Sequence, residues 1–150
     1  MLDKSILLVE DDPQDEALTL RALKKAGVCN HIDVVRDGQQ ALDYLFGEGE
    51  FADRAEKLLP TVVLLDIGLP RLSGLEVLTR LRENERTRLL PVVMLTSSDE
   101  PEDRLRSYQS GANSYVRKPV GFSDFAQTVA QLGVYWMATN LPGHGPDLGN

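Results

Sequence analysis

Short apolar runs along the chain alternate with longer segments in which apolar residues recur at helical spacing. Three of the short runs are nearly continuous: SILLV at 5–9, TVVLL at 61–65 and PVVML at 91–95. Such runs are typical of strands buried on both faces, as in a parallel sheet covered by helices. Two weaker candidate strands lie at 32–38 and 114–119, and an amphipathic segment follows each strand. This order predicts an α/β fold, with a doubly wound, five-stranded parallel sheet and right-handed crossovers.

Residues with strong end preferences mark several helix boundaries. Asp12 precedes Pro13, and Asp15 follows within the first turn, which predicts an N-cap and a favourable helix start. Gly27 predicts the end of the same helix, and Ser73 predicts the start of the third helix. The segment GEGEFADRAEKL at 47–58 has no apolar period, so we predict a surface loop there.

Composition limits the location and the partners of the protein. The chain has 150 residues, a formal net charge of −7 and one cysteine, Cys29, which cannot form an internal disulfide. The acidic balance disfavours nucleic acid and anionic membranes, and no apolar run approaches the ~18 residues of a membrane span. We therefore expect a cytoplasmic protein with neither nucleic acid nor membrane as a partner. We expect one domain at 1–140 and a flexible tail at 141–150 that is rich in Gly and Pro.

Polar residues with complementary chemistry follow the apolar runs. Glu10 and Asp11 come directly after the first run, Asp66 after the third, Thr96 after the fourth, and Lys118 near the end of the fifth. The carboxyl ends of parallel strands meet at one edge of the sheet, where open α/β folds bind their ligands. Carboxylates about 4–5 Å apart repel by roughly 3–4 kcal/mol at an effective dielectric constant of about 20, so either one of them takes a proton or a hard cation neutralises the cluster.

Oxygen-only ligands of this kind favour Mg²⁺, or Mn²⁺, as the bound cation. A divalent cation beside a carboxylate, a hydroxyl and an ammonium suits phosphoryl transfer, because the transferred group carries its charge on peripheral oxygens. The carboxylate itself can be the nucleophile, which gives an aspartyl phosphate.

Motifs in the same order and at similar spacing occur in response-regulator receiver domains. The chain resembles that family over about 4–138, through ILLVEDD (6–12), LLDIGLP (64–70), MLTSS (94–98) and YVRKP (115–119). The resemblance implies a flavodoxin-like (βα)5 fold with strand order 2-1-3-4-5, and we expect no output domain. The loop at 47–58 and the YWM…LP ending resemble the small stand-alone receivers that partner bacterial and cyanobacterial phytochromes.

The resemblance assigns roles to the residues at the strand ends. Asp66 matches the phosphoacceptor, and Lys118 matches the lysine that neutralises a phosphoryl oxygen. Asp11 would bind Mg²⁺ directly, Glu10 partly through water, and Gly68 through its backbone carbonyl, so the metal set is Glu10, Asp11, Asp66 and Gly68. Such a protein accepts a phosphoryl group from the phosphohistidine of a sensor histidine kinase. It catalyses its own phosphorylation and dephosphorylation without being a metabolic enzyme.

Other matching residues belong to the family's conformational switch. Thr96 would bond a phosphoryl oxygen and move inward, and Tyr115 would follow as the switch aromatic, which changes the face of the fourth helix, fifth strand and fifth helix. Ser97 would line the access route to the phosphoryl group. The Lys118–Pro119 bond corresponds to a site that is often cis in the family.

The last predicted helix has apolar residues on two sides. Phe122, Phe125, Val129, Leu132 and Trp136 form a stripe expected to face the sheet, with a flanking stripe at Ala126, Ala130, Val134, Met137 and Leu141. Because related receivers dimerise through this region, we predict a homodimer with Ala130, Val134 and Met137 at its interface. Further partners implied by the resemblance are a phytochrome as the kinase and a histidine phosphotransfer protein.

Other classes compete with this reading. The main alternative is a phosphorylation-independent interaction module with the receiver fold, which would be expected to have lost the acid pair, the acceptor, Thr96 or Lys118. A haloacid-dehalogenase-type phosphatase needs a second Asp two positions after its nucleophile, where this chain has Gly68. A flavodoxin-type flavin binder needs a hydroxyl- and glycine-rich loop where this chain has EDDP. The residues present favour the phosphoryl-accepting receiver.

Overall fold

A computed structural model describes residues 4–27, 31–54, 59–141 and 143, and these form a single parallel sheet with helices on both faces. Cys29 and most of the predicted tail lie outside the described residues. The sheet order is β2-β1-β3-β4-β5 and every pairing is parallel, which confirms the predicted fold class and strand order. The strands are β1 Ser5–Val9, β2 His31–Val35, β3 Val62–Leu65, β4 Val92–Thr96 and β5 Ser114–Arg117.

A helix follows each strand, as the alternating pattern predicts. The helices are α1 Pro13–Ala26, α2 Gly38–Phe46, α3 Gly74–Glu83, α4 Pro101–Gln109 and α5 Phe122–Val134, the last continued by a π-helical turn at Tyr135–Thr139. Within the described residues, no helix combines the length and the apolar character needed to cross a membrane.

The predicted helix boundaries are confirmed by their hydrogen bonds. The Asp12 side chain accepts from the backbone N–H groups of Gln14 and Asp15 at 2.8 and 3.2 Å, and Ser73 caps α3 by accepting from the backbone of Glu76 at 3.2 Å. Gly27 ends α1 in the left-handed conformation with φ 66°, which a residue without Cβ adopts at little cost. Local capping chemistry therefore sets where these helices begin and end.

The sheet separates two apolar cores, and alternate residues of each strand supply one or the other. In β1, Leu7 and Val9 face the core shared with α2 and α3, whereas Ile6 and Leu8 face the core shared with α1 and α5. All four side chains are at most 1 % exposed. Burial on both faces explains why β1, β3 and β4 are continuous apolar runs rather than alternating ones.

The segment predicted as an irregular loop at 47–58 contains a 3₁₀ helix at Gly49–Arg54. Phe51 anchors it, because its ring packs edge-on against that of Tyr44, with the ring centres 5.3 Å apart. This aromatic contact, with the hydrogen bonds from Gln40 to Glu50 and from the Glu48 N–H to Asp43 O, holds the segment against α2 although it has no apolar period of its own. Residues 55–58 lie outside the described part of the chain.

The C-terminal helix differs from its predicted orientation at two residues. Phe122, expected to face the sheet, is 63 % exposed at the first position of α5, before the helix packs against the sheet. Met137, expected at a dimer interface, is 1 % exposed and packs in the core beside Trp136, so that assignment is wrong. The wider π-helical turn holds more residues per turn than an α-helix, which rotates Met137 back toward the sheet.

We predict that Gly74→Ala destabilises the protein through a backbone clash. A Cβ at Gly74 would lie 2.0 Å from the carbonyl oxygen of Asp66, and the Gly74 N–H already donates to Ile67 O at 2.9 Å. The overpacking should lower the free energy of unfolding by about 1–3 kcal/mol, measured by urea denaturation.

Gly68→Ala is the matched control for Gly74→Ala, since a Cβ at Gly68 would have no neighbour within 4 Å. Its stability should stay within about 0.5 kcal/mol of the wild type. Equal stabilities for the two variants would show that the close approach of Gly74 to the end of β3 does not constrain the fold.

Candidate functional site

The carboxyl ends of four strands bring the predicted residues to one pocket. Glu10 follows β1, Asp66 follows β3, Thr96 ends β4 and Lys118 follows β5, and an open pocket of about 380 Å³ lies between them. Asp11, Gly68 and Ser97 line the same pocket; its remaining lining residues are Asp12, Asp15, Ile67, Ser98 and Asp103. The structure therefore brings the predicted acceptor, metal, phosphate and access residues together at one edge of the sheet.

The centre of the site is the ammonium group of Lys118. Its Nζ donates to Glu10 Oε1 at 2.6 Å, Asp15 Oδ2 at 2.9 Å and Asp66 Oδ2 at 3.0 Å, and the lysine side chain is only 5 % exposed. The other oxygen of Asp66 accepts from the backbone N–H of Gly68 at 3.2 Å. Both oxygens of the candidate phosphoacceptor are thus hydrogen-bonded within the protein.

Asp15 belongs to the site although sequence reasoning gave it only a role in starting α1. The helix begins at the same edge of the sheet that carries Asp66, so an acid in its first turn reaches the Lys118 ammonium. The sequence contains one signal for this role, which is the spacing of Asp15 from the N-cap Asp12. That spacing puts Asp15 at the third position of α1, and this position lies beside the end of β1.

The pKa values of the buried pair reflect opposing effects. Burial raises the pKa of Glu10, and the hydrogen bond from Lys118 only partly offsets it. Burial alone would lower the pKa of Lys118, but its hydrogen bonds to Glu10 and Asp15 and the nearby charge of Asp66 raise it. Lys118 is therefore charged at neutral pH, and one cation faces an excess of carboxylates.

The acidic residues at the strand ends have the donor set of a hard-cation site. One carboxylate oxygen from each of Glu10, Asp11 and Asp66 lies within 4.8 Å of the others. Glu10 and Asp66 are buried while Asp11 is exposed, so the group opens toward solvent on one side. An oxygen-only set with an open side fits Mg²⁺ or Mn²⁺, which retain bound waters and share sites with phosphate. The predicted contribution of the Gly68 carbonyl stays a prediction.

The predicted switch residues are joined through Ser98. The backbone N–H of Ser98 donates to Thr96 Oγ1 at 3.3 Å, and the hydroxyl of Tyr115 donates to Ser98 O at 3.1 Å. Thr96 is buried, Tyr115 is half-buried against the α2–α3 core, and Ser97 is exposed at the pocket. Thr96 and Tyr115 therefore share one neighbour, although their movement stays a prediction.

The Lys118–Pro119 peptide bond is trans, and the described residues contain no cis bond, so the expected cis isomer is wrong. The trans form is the ordinary preference before proline, by about 0.5–1 kcal/mol. Lys118 reaches all three carboxylates from this trans peptide, so the lysine needs no cis bond to point into the pocket.

The doubly wound parallel sheet and the acidic, lysine-containing pocket at its carboxyl edge are the features expected of a receiver domain. The family described as the response regulator receiver domain matches residues 6–130, and the chain belongs to it. The probable methanogenesis regulatory protein FilR2 of Methanothrix harundinacea is 41 % identical over 90 % of this chain and 84 % of its own length. The response regulator Rcp1 of Synechocystis is 33 % identical over 91 % of this chain and 90 % of its own.

Solved structures of phytochrome response regulators have the same fold. The phosphorylated cyanobacterial phytochrome response regulator RcpA has a TM-score of 0.88 and 34 % identity, covering 95 % of this chain and all of that chain. The bacteriophytochrome response regulator RtBRR has a TM-score of 0.75 and 51 % identity, covering 94 % and 84 % of the two chains. The Mn²⁺-bound form of Rcp1, with a TM-score of 0.85, 33 % identity and coverage of 93 % and 98 %, is a divalent-metal complex within this family.

We predict that Lys118→Met strongly destabilises the protein without divalent cations. The substitution leaves Glu10, Asp15 and Asp66 without their shared ammonium, and breaking such a buried pair costs about 3 kcal/mol. Urea denaturation in EDTA should show this loss, and saturating Mg²⁺ should recover part of it by supplying the missing positive charge.

Lys25→Met, on the exposed face of α1, is the matched control for Lys118→Met. It should change the free energy of unfolding by no more than about 0.5 kcal/mol, with or without Mg²⁺. Wild-type stability for Lys118→Met in EDTA would contradict the central role of the ammonium.

Proposed function

We propose that this chain is a response regulator that accepts a phosphoryl group onto Asp66 from the phosphohistidine of a sensor histidine kinase, with Mg²⁺ bound. The observation that carries the proposal is the environment of Asp66. Its carboxylate lies at the end of β3, 3.0 Å from the Lys118 ammonium, and one of its oxygens lies within 4.8 Å of a carboxylate oxygen of Glu10 and of Asp11. An acceptor, a cation site and a phosphate-neutralising group occupy one pocket.

The transfer needs few groups from the protein. An O–P bond forms at an oxygen of Asp66 as the P–N bond to the histidine ring breaks, and the ring nitrogen keeps the electron pair. Lys118 neutralises a phosphoryl oxygen as a point charge, and the Thr96 hydroxyl donates to another. A divalent cation held by Glu10, Asp11 and Asp66 would supply the positive charge that offsets repulsion between the carboxylate and the phosphoryl oxygens.

We propose a phytochrome as the kinase, and a histidine phosphotransfer protein as a further candidate partner. The support is the similarity to RcpA and RtBRR, which are phytochrome response regulators, over more than nine-tenths of this chain. A cytoplasmic location is part of the same proposal. The test of the partner is phosphotransfer from a purified, autophosphorylated phytochrome kinase to the wild-type chain, with an unrelated histidine kinase as the comparison.

Asp66→Asn should abolish phosphorylation. Incubation of the wild type with acetyl phosphate and Mg²⁺ should add one phosphoryl group, detected by intact-protein mass spectrometry, because Asp66 is the only acceptor proposed. The gain should disappear in Asp66→Asn and in EDTA. Asp43→Asn, an acid on α2 outside the pocket, should be phosphorylated like the wild type.

A folded wild type that gains no phosphoryl mass would overturn the proposed function. The chain would then be a phosphorylation-independent interaction module with the receiver fold. Persistence of the gain in Asp66→Asn would instead place the acceptor on another residue.

We also propose a homodimer that uses the exposed side of α5 and the turn that follows it. Val134 and Tyr135 are 45 % and 48 % exposed there, and Ala130 is half-buried one turn earlier. Val134→Asp should shift sedimentation of the phosphorylated or unphosphorylated protein from dimer to monomer, since burying an unpaired carboxylate is costly.

Leu89→Asp is the control for the dimer, because Leu89 is 51 % exposed between α3 and β4, away from α5. It should sediment like the wild type. A wild type that is monomeric at tens of micromolar in both phosphorylation states would contradict a stable dimer through α5.

A further inference from the structure

Helix α4 is held to the domain mainly by polar contacts. Ser107 is its one fully buried residue, whereas Leu105 and Tyr108 are 58 % and 50 % exposed. The other four α-helices each bury at least three residues. A helix with no buried apolar face gains little from packing, so its position depends on the hydrogen bonds that it makes.

Ser98, in the loop between β4 and α4, has all of its polar groups engaged. Its Oγ donates to Asp103 Oδ2 at 2.7 Å and accepts from the backbone N–H of Glu100 at 3.3 Å. Its backbone N–H donates to Thr96 Oγ1 at 3.3 Å, and its carbonyl accepts from the Tyr115 hydroxyl at 3.1 Å. One residue therefore connects β4, β5 and α4 beside the pocket.

Asp103 provides the connection to α4. It occupies the first turn of the helix, is half-buried and lines the pocket that holds Asp66. Its backbone carbonyl accepts from the hydroxyl of Ser107, the buried residue of the helix, at 2.8 Å. The carboxylate of Asp103 thus joins the best-anchored part of α4 to Ser98.

We infer that Asp103 is a positioning residue for the phosphorylation site: acting through Ser98, it holds Thr96 and the β4–α4 loop in the arrangement seen here. A shift of Thr96 toward a phosphoryl group on Asp66 stretches its bond from the Ser98 N–H, and Ser98 is restrained by Asp103. The Ser98–Asp103 hydrogen bond therefore stabilises the unphosphorylated arrangement and slows phosphorylation. This inference rests on the proposed phosphorylation of Asp66.

Four variants distinguish the effect of the Ser98–Asp103 hydrogen bond from the effect of the negative charge of Asp103. Asp103→Ala and Ser98→Ala each remove the bond, and only the first also removes a charge. Asp103→Asn removes the charge but keeps an oxygen that accepts from Ser98. Glu102→Ala is the matched control, because Glu102 is an exposed acid in the same turn and lies outside the pocket.

The first measurement is the rate at which acetyl phosphate phosphorylates each variant with Mg²⁺. Loss of one partly buried, charge-assisted hydrogen bond should speed phosphorylation by roughly threefold to tenfold in Asp103→Ala and in Ser98→Ala. The double variant should be no faster than Ser98→Ala, because that variant already lacks the Ser98–Asp103 bond together with the bond from the Glu100 N–H. Glu102→Ala should stay within about twofold of the wild type, and Asp103→Asn should be faster than the wild type by less than Asp103→Ala, because it keeps a neutral hydrogen bond about half as strong.

The second measurement is hydrogen exchange across 97–104 in the unphosphorylated proteins. Exchange should accelerate most in Asp103→Ala and Ser98→Ala, less in Asp103→Asn, and remain at the wild-type rate in Glu102→Ala. Unchanged exchange in the two alanine variants would show that Asp103 does not hold the β4–α4 loop through Ser98, even if the wild type is phosphorylated normally.

The two measurements also separate this inference from the proposed function. If the wild type takes up no phosphoryl group, the proposed function fails, and hydrogen exchange alone decides whether Asp103 holds the loop. If phosphorylation is normal and Asp103→Asn is as fast as Asp103→Ala, the charge acts instead of the hydrogen bond, and the positioning role is overturned.

Discussion

The arrangement of the site depends on one buried ammonium group shared by carboxylates from three elements. Lys118 Nζ contacts Glu10 after β1, Asp15 in α1 and Asp66 after β3. Each of these charges costs several kcal/mol to remove from water, so the cluster is stable only if the charges stay within hydrogen-bond distance. Strands β5 and β1 are separated by β4 and β3, a span of about 14 Å at ordinary strand spacing. Two long side chains, a lysine and a glutamate, meet across that gap where shorter ones would not.

This single ammonium group does not balance the negative charge of the carboxylates around it. Asp11 is exposed and is not among the carboxylates bonded to Lys118, and Asp66 shares the lysine with two other acids. A divalent cation held by Glu10, Asp11 and Asp66 would relieve this excess, and an incoming phosphoryl group would then face both a cation and an ammonium. The excess of negative charge thus favours binding of a cation.

The parts of the structure that could be predicted from the sequence are those that local chemistry decides. Strands buried on both faces leave continuous apolar runs, and Asp12, Gly27 and Ser73 satisfy helix-end groups within a few residues of themselves. The parts that could not be predicted depend on contacts distant in sequence. Asp15 joins the site through a residue 103 positions away, and Phe51 orders its segment through α2. Met137 is buried because a π-helical turn changes the rotation of the chain, and a fixed helical period cannot anticipate such a turn.

The difference in how the helices are held determines which part of the domain can respond to a charge placed on Asp66. Helices α1 and α5 bury apolar side chains, and each such side chain contributes about 1.5–3 kcal/mol to stability. Moving either helix would therefore cost much of that free energy. Helix α4 buries a serine and relies on hydrogen bonds, each with a net contribution of about 0.5–1.5 kcal/mol. We propose that phosphorylation of Asp66 would act on the Ser98–Asp103 hydrogen bond through Thr96, not through the charge of Asp103. Among the described helices, α4 is the one whose attachment is of that strength, so it is the helix expected to move while the sheet remains in place.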